Sequence, residues 1–322
     1  MPRWLVLFAT AFPTFAAEPA TQPTRGEIAF EPPANPGTIP EPFRLGKHTF
    51  PYELKPRFDL PHSGVEVLTL TFPSPVKTPH PANNTVHCEY FRPKTPGKHP
   101  AMIVLDILDG KQVVSRSQAM WLAQHDIGAL VVYMAYYGPR REGSHERLLT
   151  TDIPKAVANV VQTVLDCRRA VAWLERQPEV DAKRIGLLGT SLGSLVGGTV
   201  AGVEPKIGTA CLLLGGGSLV DAFTGSPVFG FLWPLMELAG VSKKQLKALI
   251  APIDPVSYAE NLKGKRLLLI AASRDDVVPP QAMKALWEAT GKPKLMWVDA
   301  THVGAALHLF QMMRAVTDFV KE

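Results

Sequence analysis

At 322 residues the chain can bury a sizeable core, and its length admits one large domain or two small ones. With 46% hydrophobic and 20% charged residues, the composition excludes wholesale disorder. The formal net charge of +5 is scattered along the chain and forms no Lys/Arg run that would track phosphates, so nucleic acid is not expected as a partner.

Arg3 gives a short positive start, and an apolar run opens at Trp4-Leu5-Val6-Leu7-Phe8-Ala9 and reaches Ala17. Thr14-Phe15-Ala16 and Phe15-Ala16-Ala17 each offer a cleavage site ahead of Glu18. This is the layout of a secretory signal peptide over residues 1–17, with a secreted or periplasmic location as the expectation. A buried N-terminal strand or helix fits less well, because a Pro-rich polar stretch follows directly. A transmembrane helix needs about 20 apolar residues, so no membrane span is expected. No Cys ends the run, and a lipoprotein anchor is not indicated.

Residues 18–43 carry Pro19, Pro23, Pro32, Pro33, Pro36, Pro40 and Pro42, a composition that cannot fold alone and reads as an extended arm. Residues 44–322 read as one domain. Two β-branched or aromatic runs, Val65 to Phe72 and Thr85 to Phe91, are expected as the antiparallel edge of a larger sheet. Asn83-Asn84-Thr85 matches a glycosylation sequon, a pattern common by chance.

After Pro100 the rhythm becomes strand, helix, strand. Ala101 to Leu105 and Ile127 to Met134 are continuous apolar runs, as in strands covered on both faces. Residues 115–125 read as a helix between them. A long helix follows from about Asp152 to Arg176, with Val157, Val160, Val161, Val164, Val171 and Leu174 on one stripe, Pro154 in its first turn and Pro178 just past its end. Then come a strand from Arg184 to Leu188, a helix from Leu192, and a strand from about Ile207 to Leu214. Arg266 to Ala271 and Lys294 to Val298 are expected strands, each followed by a helix. Such alternation implies right-handed crossovers and a mostly parallel sheet. Residues 215–262 interrupt it with an aromatic stretch around Phe223, Phe229, Phe231, Leu232 and Trp233. They form either a packed insertion with its own small core or a cap over a site.

Gly189-Thr190-Ser191-Leu192-Gly193 is a G-x-S-x-G pentapeptide between a buried strand and a helix rich in small residues. That junction forces Ser191 into a strained turn and lifts its hydroxyl clear of the sheet, with glycines two residues away on either side permitting close approach. A serine needs a base. His302 opens the loop after the last expected strand, whereas His48, His62, His80, His87 and His99 precede the parallel sheet, His125 and His145 lie before Ser191, and His308 falls in the final helix. The base needs an acid to hold its tautomer, and the loop after Leu267 to Ala271 carries Asp275 and Asp276. The order Ser, Asp, His leaves room for one insertion and then one helix and strand.

These residues resemble the α/β-hydrolase superfamily, in particular its dienelactone-hydrolase-like and prolyl-oligopeptidase-like serine esterases. The resemblance rests on Asp166-Cys167-Arg168-Arg169-Ala170 through Trp173-Leu174, on Val180-Asp181 through Leu187, on the GTSLG turn, on Ile253-Asp254-Pro255, on the Ser273–Pro280 loop and on the His302 loop. It spans residues 150–305, with the strand pattern extending it to about 100. It implies an α/β-hydrolase fold, with a mostly parallel central sheet, helices on both faces and a small helical insertion. It also implies a carboxylesterase-type mechanism through an acyl-enzyme on Ser191, with no metal or organic cofactor. Dienelactone hydrolases proper use a cysteine nucleophile; Ser191 favours ordinary ester hydrolysis. The family's acid loop ends in an aliphatic residue and Pro, and Val278-Pro279 in that place assigns the acid to Asp275 and leaves Asp276 exposed near a helix start. Many relatives carry His-Gly after the third strand, where this chain has Asp106-Ile107-Leu108-Asp109-Gly110. The oxyanion donors are assigned to the backbone N–H groups of Leu192 and Leu108, and the Asp106 side chain is expected to be turned away or paired. The expected partner is a small or medium ester. A peptidase or thioesterase of the same fold is the alternative, although peptidase relatives carry a large N-terminal propeller for which this chain has no room. A catalytically inactive binding protein is disfavoured by the presence of all three residue types. Cys88, Cys167 and Cys211 show no metal-site spacing and read as free and buried.

Overall fold

Successive residues of a strand point to opposite faces, so a strand that is apolar at every position must be covered twice. The computed structural model describes residues 23–35, 39–60, 63–143, 146–226, 233–238 and 240–322. The expected signal peptide lies outside them. The strands are β1 (Thr24–Phe30), β2 (His48–Leu60), β3 (Val65–Pro73), β4 (Thr85–Pro93), β5 (His99–Leu105), β6 (Gly128–Val132), β7 (Val180–Thr190), β8 (Thr209–Leu213), β9 (Arg266–Ala272) and β10 (Lys294–Val298). They form one sheet in the order β1-β2-β3-β4-β6-β5-β7-β8-β9-β10. Pairing is antiparallel from β1 to β6 and parallel from β6 onward.

The helices are α1 (Val113–Gln124), α2 (Ile153–Leu174), α3 (Leu192–Val203), α4 (Leu219–Gly225), α5 (Trp233–Leu238), α6 (Lys243–Ile250), α7 (Ala259–Lys263), α8 (Pro280–Ala289) and α9 (Leu309–Lys321). Ile103 and Leu105 of β5 belong to the core that includes Val160 and Val164 of α2 and Val196 and Val200 of α3. Their neighbours Met102 and Val104 belong to the opposite core, with Ala119 and Leu122 of α1 and Met312 and Val316 of α9. The fold is thus the expected α/β-hydrolase arrangement, with helices on both faces of a mixed, largely parallel sheet.

Two expectations change. β3 and β4 are not the sheet edge, because β2 and β1 pair outside them. Residues 24–30, assigned to the arm, are the outermost strand, with Ile28 and Phe30 buried and the residues between them and before them largely exposed. Ile39 and Phe43 are also buried, and the Phe43 ring meets Tyr258 edge-on at 6.0 Å. The prolines hide a short alternation that finds its partner only when β2 lies alongside. Helix α2 is buried far beyond its valine stripe: Asp166 and Arg140 pair at 2.8 Å with neither side chain exposed, and Arg168 pairs with Glu204 at 2.9 Å. Asn83 is fully buried and donates to Gln162 Oε1 at 2.9 Å, which leaves the sequon no room for a glycan.

Candidate active site

The chain leaves β5 toward β6 on one side, and β7 lies on the other. Loops after β5 and β7 therefore part at this point, and the crevice between them is where open α/β sheets bind ligands. Ser191 stands in it, as the single residue between the end of β7 and the start of α3. Its backbone has φ 54° and ψ −117°, a left-handed φ that costs a non-glycine residue of order 1–3 kcal/mol. The turn is held by the Ser191 N–H donating to Leu213 O at 2.8 Å, and by Ser194 N–H and Leu195 N–H donating to Ser191 O. The flanking glycines are required by close backbone approach. A Cβ at Gly189 would lie 2.1 Å from Gly193 O, and one at Gly193 would lie 2.3 Å from Leu105 O. The second contact presses the start of α3 against the end of β5.

The loops after β9 and β10 run together: Ser273 N–H donates to Val298 O at 2.9 Å and Arg274 N–H to Ala300 O at 3.0 Å. Arg274 and Ser273 also bond Asp299, at 2.9 and 3.0 Å. This pairing carries Asp275 to His302. The Asp275 carboxylate meets His302 Nδ1 at 2.7 Å through Oδ2 and 2.9 Å through Oδ1, and Oδ1 accepts the N–H groups of Val277 and Val278. His302 Nε2 lies 2.8 Å from Ser191 Oγ. The structure thus brings Ser191, His302 and Asp275 into one hydrogen-bonded line, with Asp275 buried and the His302 side chain 13% exposed. Such a line can draw a proton from the hydroxyl to the imidazole and return it. Asp276 is exposed, as expected, but its carboxylate accepts the His302 backbone N–H at 3.3 Å and steadies the histidine loop.

Leu192 is the first residue of α3, and the first N–H groups of a helix have no intrahelical acceptor. Leu108 lies in the loop between β5 and α1 and is half exposed. Asp106 is paired: Oδ2 accepts Gln112 N–H at 2.7 Å and Oδ1 accepts Ser115 N–H at 3.1 Å. Its charge is spent on the first turn of α1, although burial raises its carboxyl above the ordinary range.

In the insertion, Asp254 accepts Ser218 N–H at 3.0 Å, Leu219 N–H at 2.8 Å and Val256 N–H at 3.1 Å, which closes the start of the segment onto its end. Ile253, Tyr258 and Leu262 belong to the core on the α2/α3 face, so in this part the insertion shares the main core. Ser226 Oγ donates to Val277 O at 3.0 Å and sets the end of α4 beside the Asp275 loop. Phe229, Phe231 and Leu232 of the cap reading lie outside the described residues. Cys88, Cys167 and Cys211 are all buried and unpaired, and burial pushes the Cys211 thiol up to about 12. Among the described residues no group of three His, Cys, Asp or Glu side chains is placed to hold a metal ion. No helix among them is long and apolar enough to cross a membrane.

Gln118 and Tyr137 brace the site and leave no mark in the sequence, and Asp254, which closes the insertion, is legible there only as part of Ile253-Asp254-Pro255. Gln118 Nε2 donates to Thr190 Oγ1 at 2.8 Å, beside the Ser191 turn. The Tyr137 hydroxyl meets the loop that carries Leu108.

The arrangement matches known proteins at several levels. An uncharacterized protein of Mycobacterium tuberculosis, MT2702, is 27% identical over 214 residues, which cover 62% of this chain and 47% of that protein. The chain thus spans about half the length of the curated relatives it matches. Among solved structures, an acetyl xylan esterase from Paenibacillus sp. R4 superposes with TM-score 0.67 at 22% identity, over 83% of this chain and 88% of that one. Acetyl xylan esterase 1 from Thermoanaerobacterium sp. JW/SL YS485 gives 0.60 at 19%, over 83% and 87%. A cold-adapted esterase from an Arctic intertidal metagenomic library gives 0.56 at 16%, over 83% and 96%. At these identities the likeness establishes the α/β-hydrolase fold. The sequence model of the prolyl oligopeptidase family matches residues 157–321, from α2 through α9 and so across all three loops that meet at Ser191. The chain belongs to the prolyl oligopeptidase family, within the α/β-hydrolase superfamily.

Proposed function

We propose that this protein is a serine hydrolase that cleaves carboxylic esters through an acyl-enzyme on Ser191. The observation that carries the reading is the unbroken line from Asp275 through His302 to Ser191 Oγ, ending on a strained turn in the crevice of the sheet. In this mechanism Ser191 Oγ bonds to the ester carbonyl carbon as His302 Nε2 takes the hydroxyl proton. The N–H groups of Leu192 and Leu108 receive the negative charge on the carbonyl oxygen. The carbon–alcohol bond then breaks, and the alcohol leaves with the proton from Nε2. Water, deprotonated by His302 in turn, releases the acid and restores Ser191. Asp275 keeps the proton on Nδ1 and stabilises the imidazolium.

Ester substrates are supported by the names of the structural neighbours, two of which are acetyl xylan esterases. A peptidase reading is favoured by the prolyl oligopeptidase family match. A fluorophosphonate probe should label Ser191, and Ser191→Ala should stay folded while hydrolysis falls at least about a thousandfold. A label on another serine overturns the assignment. A panel of p-nitrophenyl esters of rising chain length, beside a prolyl p-nitroanilide and a thioester, separates the readings, with the esters expected to be turned over fastest. We also propose export through the segment over residues 1–17; N-terminal sequencing of exported protein that still began at Met1 would remove that proposal.

A further inference from the structure

Resting on that reading, we propose that Tyr137 is the positioning residue of the second oxyanion donor, fixing the Ile107–Leu108 peptide through its hydroxyl. The loop from Asp106 to Gln112 is short and conformationally demanding. Asp109, Lys111 and Gln112 all take left-handed backbone angles, with φ of 49°, 50° and 63°. Three non-glycine residues in that region do not hold themselves there. Two clamps do. The buried Asp106 carboxylate ties the loop's far end by accepting Gln112 N–H and Ser115 N–H. The Tyr137 hydroxyl ties its middle, accepting Asp109 N–H at 3.2 Å and donating to Ile107 O at 3.4 Å.

Those two partners flank Leu108. Ile107 O and Leu108 N–H are the two poles of one peptide unit, and in a planar trans peptide they point in opposite directions. A hydroxyl that captures the carbonyl therefore turns the Leu108 N–H to the opposite side of the loop. Tyr137 is itself held rigidly. Its ring is buried, and Tyr136 and Gly138 on either side take left-handed φ of 62° and 50°. Tyr136 N–H donates to Asn83 Oδ1 at 3.0 Å, and Arg140, three residues on, bonds Tyr133 O and the buried Asp166. The ion pair of α2 thus braces the loop that presents the hydroxyl. Burial also raises the Tyr137 phenol well above its ordinary value, so the donor proton stays in place at any working pH.

The test is Tyr137→Phe, which removes one oxygen and keeps the ring. Deleting an oxyanion donor outright costs on the order of 10²–10³ in kcat, and mispositioning one is expected to cost on the order of 10–100-fold. The expected result is a fall of that size in kcat with KM within about twofold. A trifluoromethyl ketone, which forms an oxyanion on Ser191, should lose affinity by the same factor as kcat/KM. Binding of the product alcohol should not change. An unchanged kcat overturns the proposal. So does a loss seen only in KM, or a ketone affinity that stays at the wild-type level while kcat falls, since either assigns the hydroxyl a purely structural part. If the variant does not fold, circular dichroism reports it and the same conclusion is drawn. Failure of the wild-type protein to take a fluorophosphonate label on Ser191 is a different result, which removes the hydrolase reading beneath the proposal.

Discussion

Replacing Asp275 by Asn changes one atom and should nearly abolish turnover. Oδ1 of Asp275 accepts Val277 N–H at 3.0 Å and Val278 N–H at 2.8 Å, so the amide oxygen of an asparagine is required on that side. Its NH₂ group must then replace Oδ2, which lies 2.7 Å from His302 Nδ1. Two donors cannot face each other, so His302 gives up the Nδ1 proton and carries it on Nε2. Nε2, 2.8 Å from Ser191 Oγ, then points a proton at the hydroxyl that it deprotonates in the proposed mechanism. The expected loss is roughly 10³–10⁴ in kcat, or about 4–5.5 kcal/mol of barrier. The fold should survive, because the backbone bonds of the loop keep their acceptor. Asp276→Asn is the control: its exposed carboxylate makes a 3.3 Å contact to His302 N–H that an amide oxygen can also make. It should cost less than about threefold in rate, in keeping with surface substitutions within about 0.5 kcal/mol. The assay is kcat on a p-nitrophenyl ester beside the melting temperature of both variants. An inactive Asp276→Asn with a fully active Asp275→Asn would move the acid role to Asp276.

Gly193→Ala should lower both activity and stability, because its Cβ would meet Leu105 O at 2.3 Å and Asp106 O at 2.6 Å; the expected cost is about 1–3 kcal/mol in urea unfolding, and wild-type behaviour would show that the turn at Ser191 can shift freely. Asp166→Ala leaves the buried Arg140 guanidinium without its carboxylate and should cost about 3–5 kcal/mol by the same measurement, whereas a loss below about 1 kcal/mol would mean the pair is not buried as described. Burial, with Arg140 nearby, holds His87 below its ordinary value of 6.5, so the folded state keeps it neutral where the unfolded chain takes up a proton. The stability this contributes is full above pH 6.5 and is lost as pH falls through the depressed folded value. His87→Gln should therefore flatten the melting temperature against pH below 6.5, and an unchanged acid slope would exclude His87 as a source.

The strand–helix alternation after Pro100 is legible in the residues alone, because strands covered on both faces must be apolar throughout and helices between them must carry a stripe. It also pointed to Ser191, since G-x-S-x-G between β7 and α3 is a local pattern whose strain is resolved within five residues. The choice of His302 and of the Asp275 loop followed from chain order, and the line that joins them to Ser191 did not. That line exists because the loops after β9 and β10 pair through Ser273, Arg274, Val298 and Ala300, backbone contacts that leave no mark on composition. β1 was hidden for a similar reason: Ile28 and Phe30 alternate over too few residues, among too many prolines, to signal a strand until β2 supplies the ladder. The buried Asp166–Arg140 pair, the Asp254 closure of the insertion and the Tyr137 clamp on the loop of Leu108 each join residues distant along the chain. Charged and hydroxyl residues normally read as solvated surface, and only packing that removes water from around them decides that they hold a site in shape.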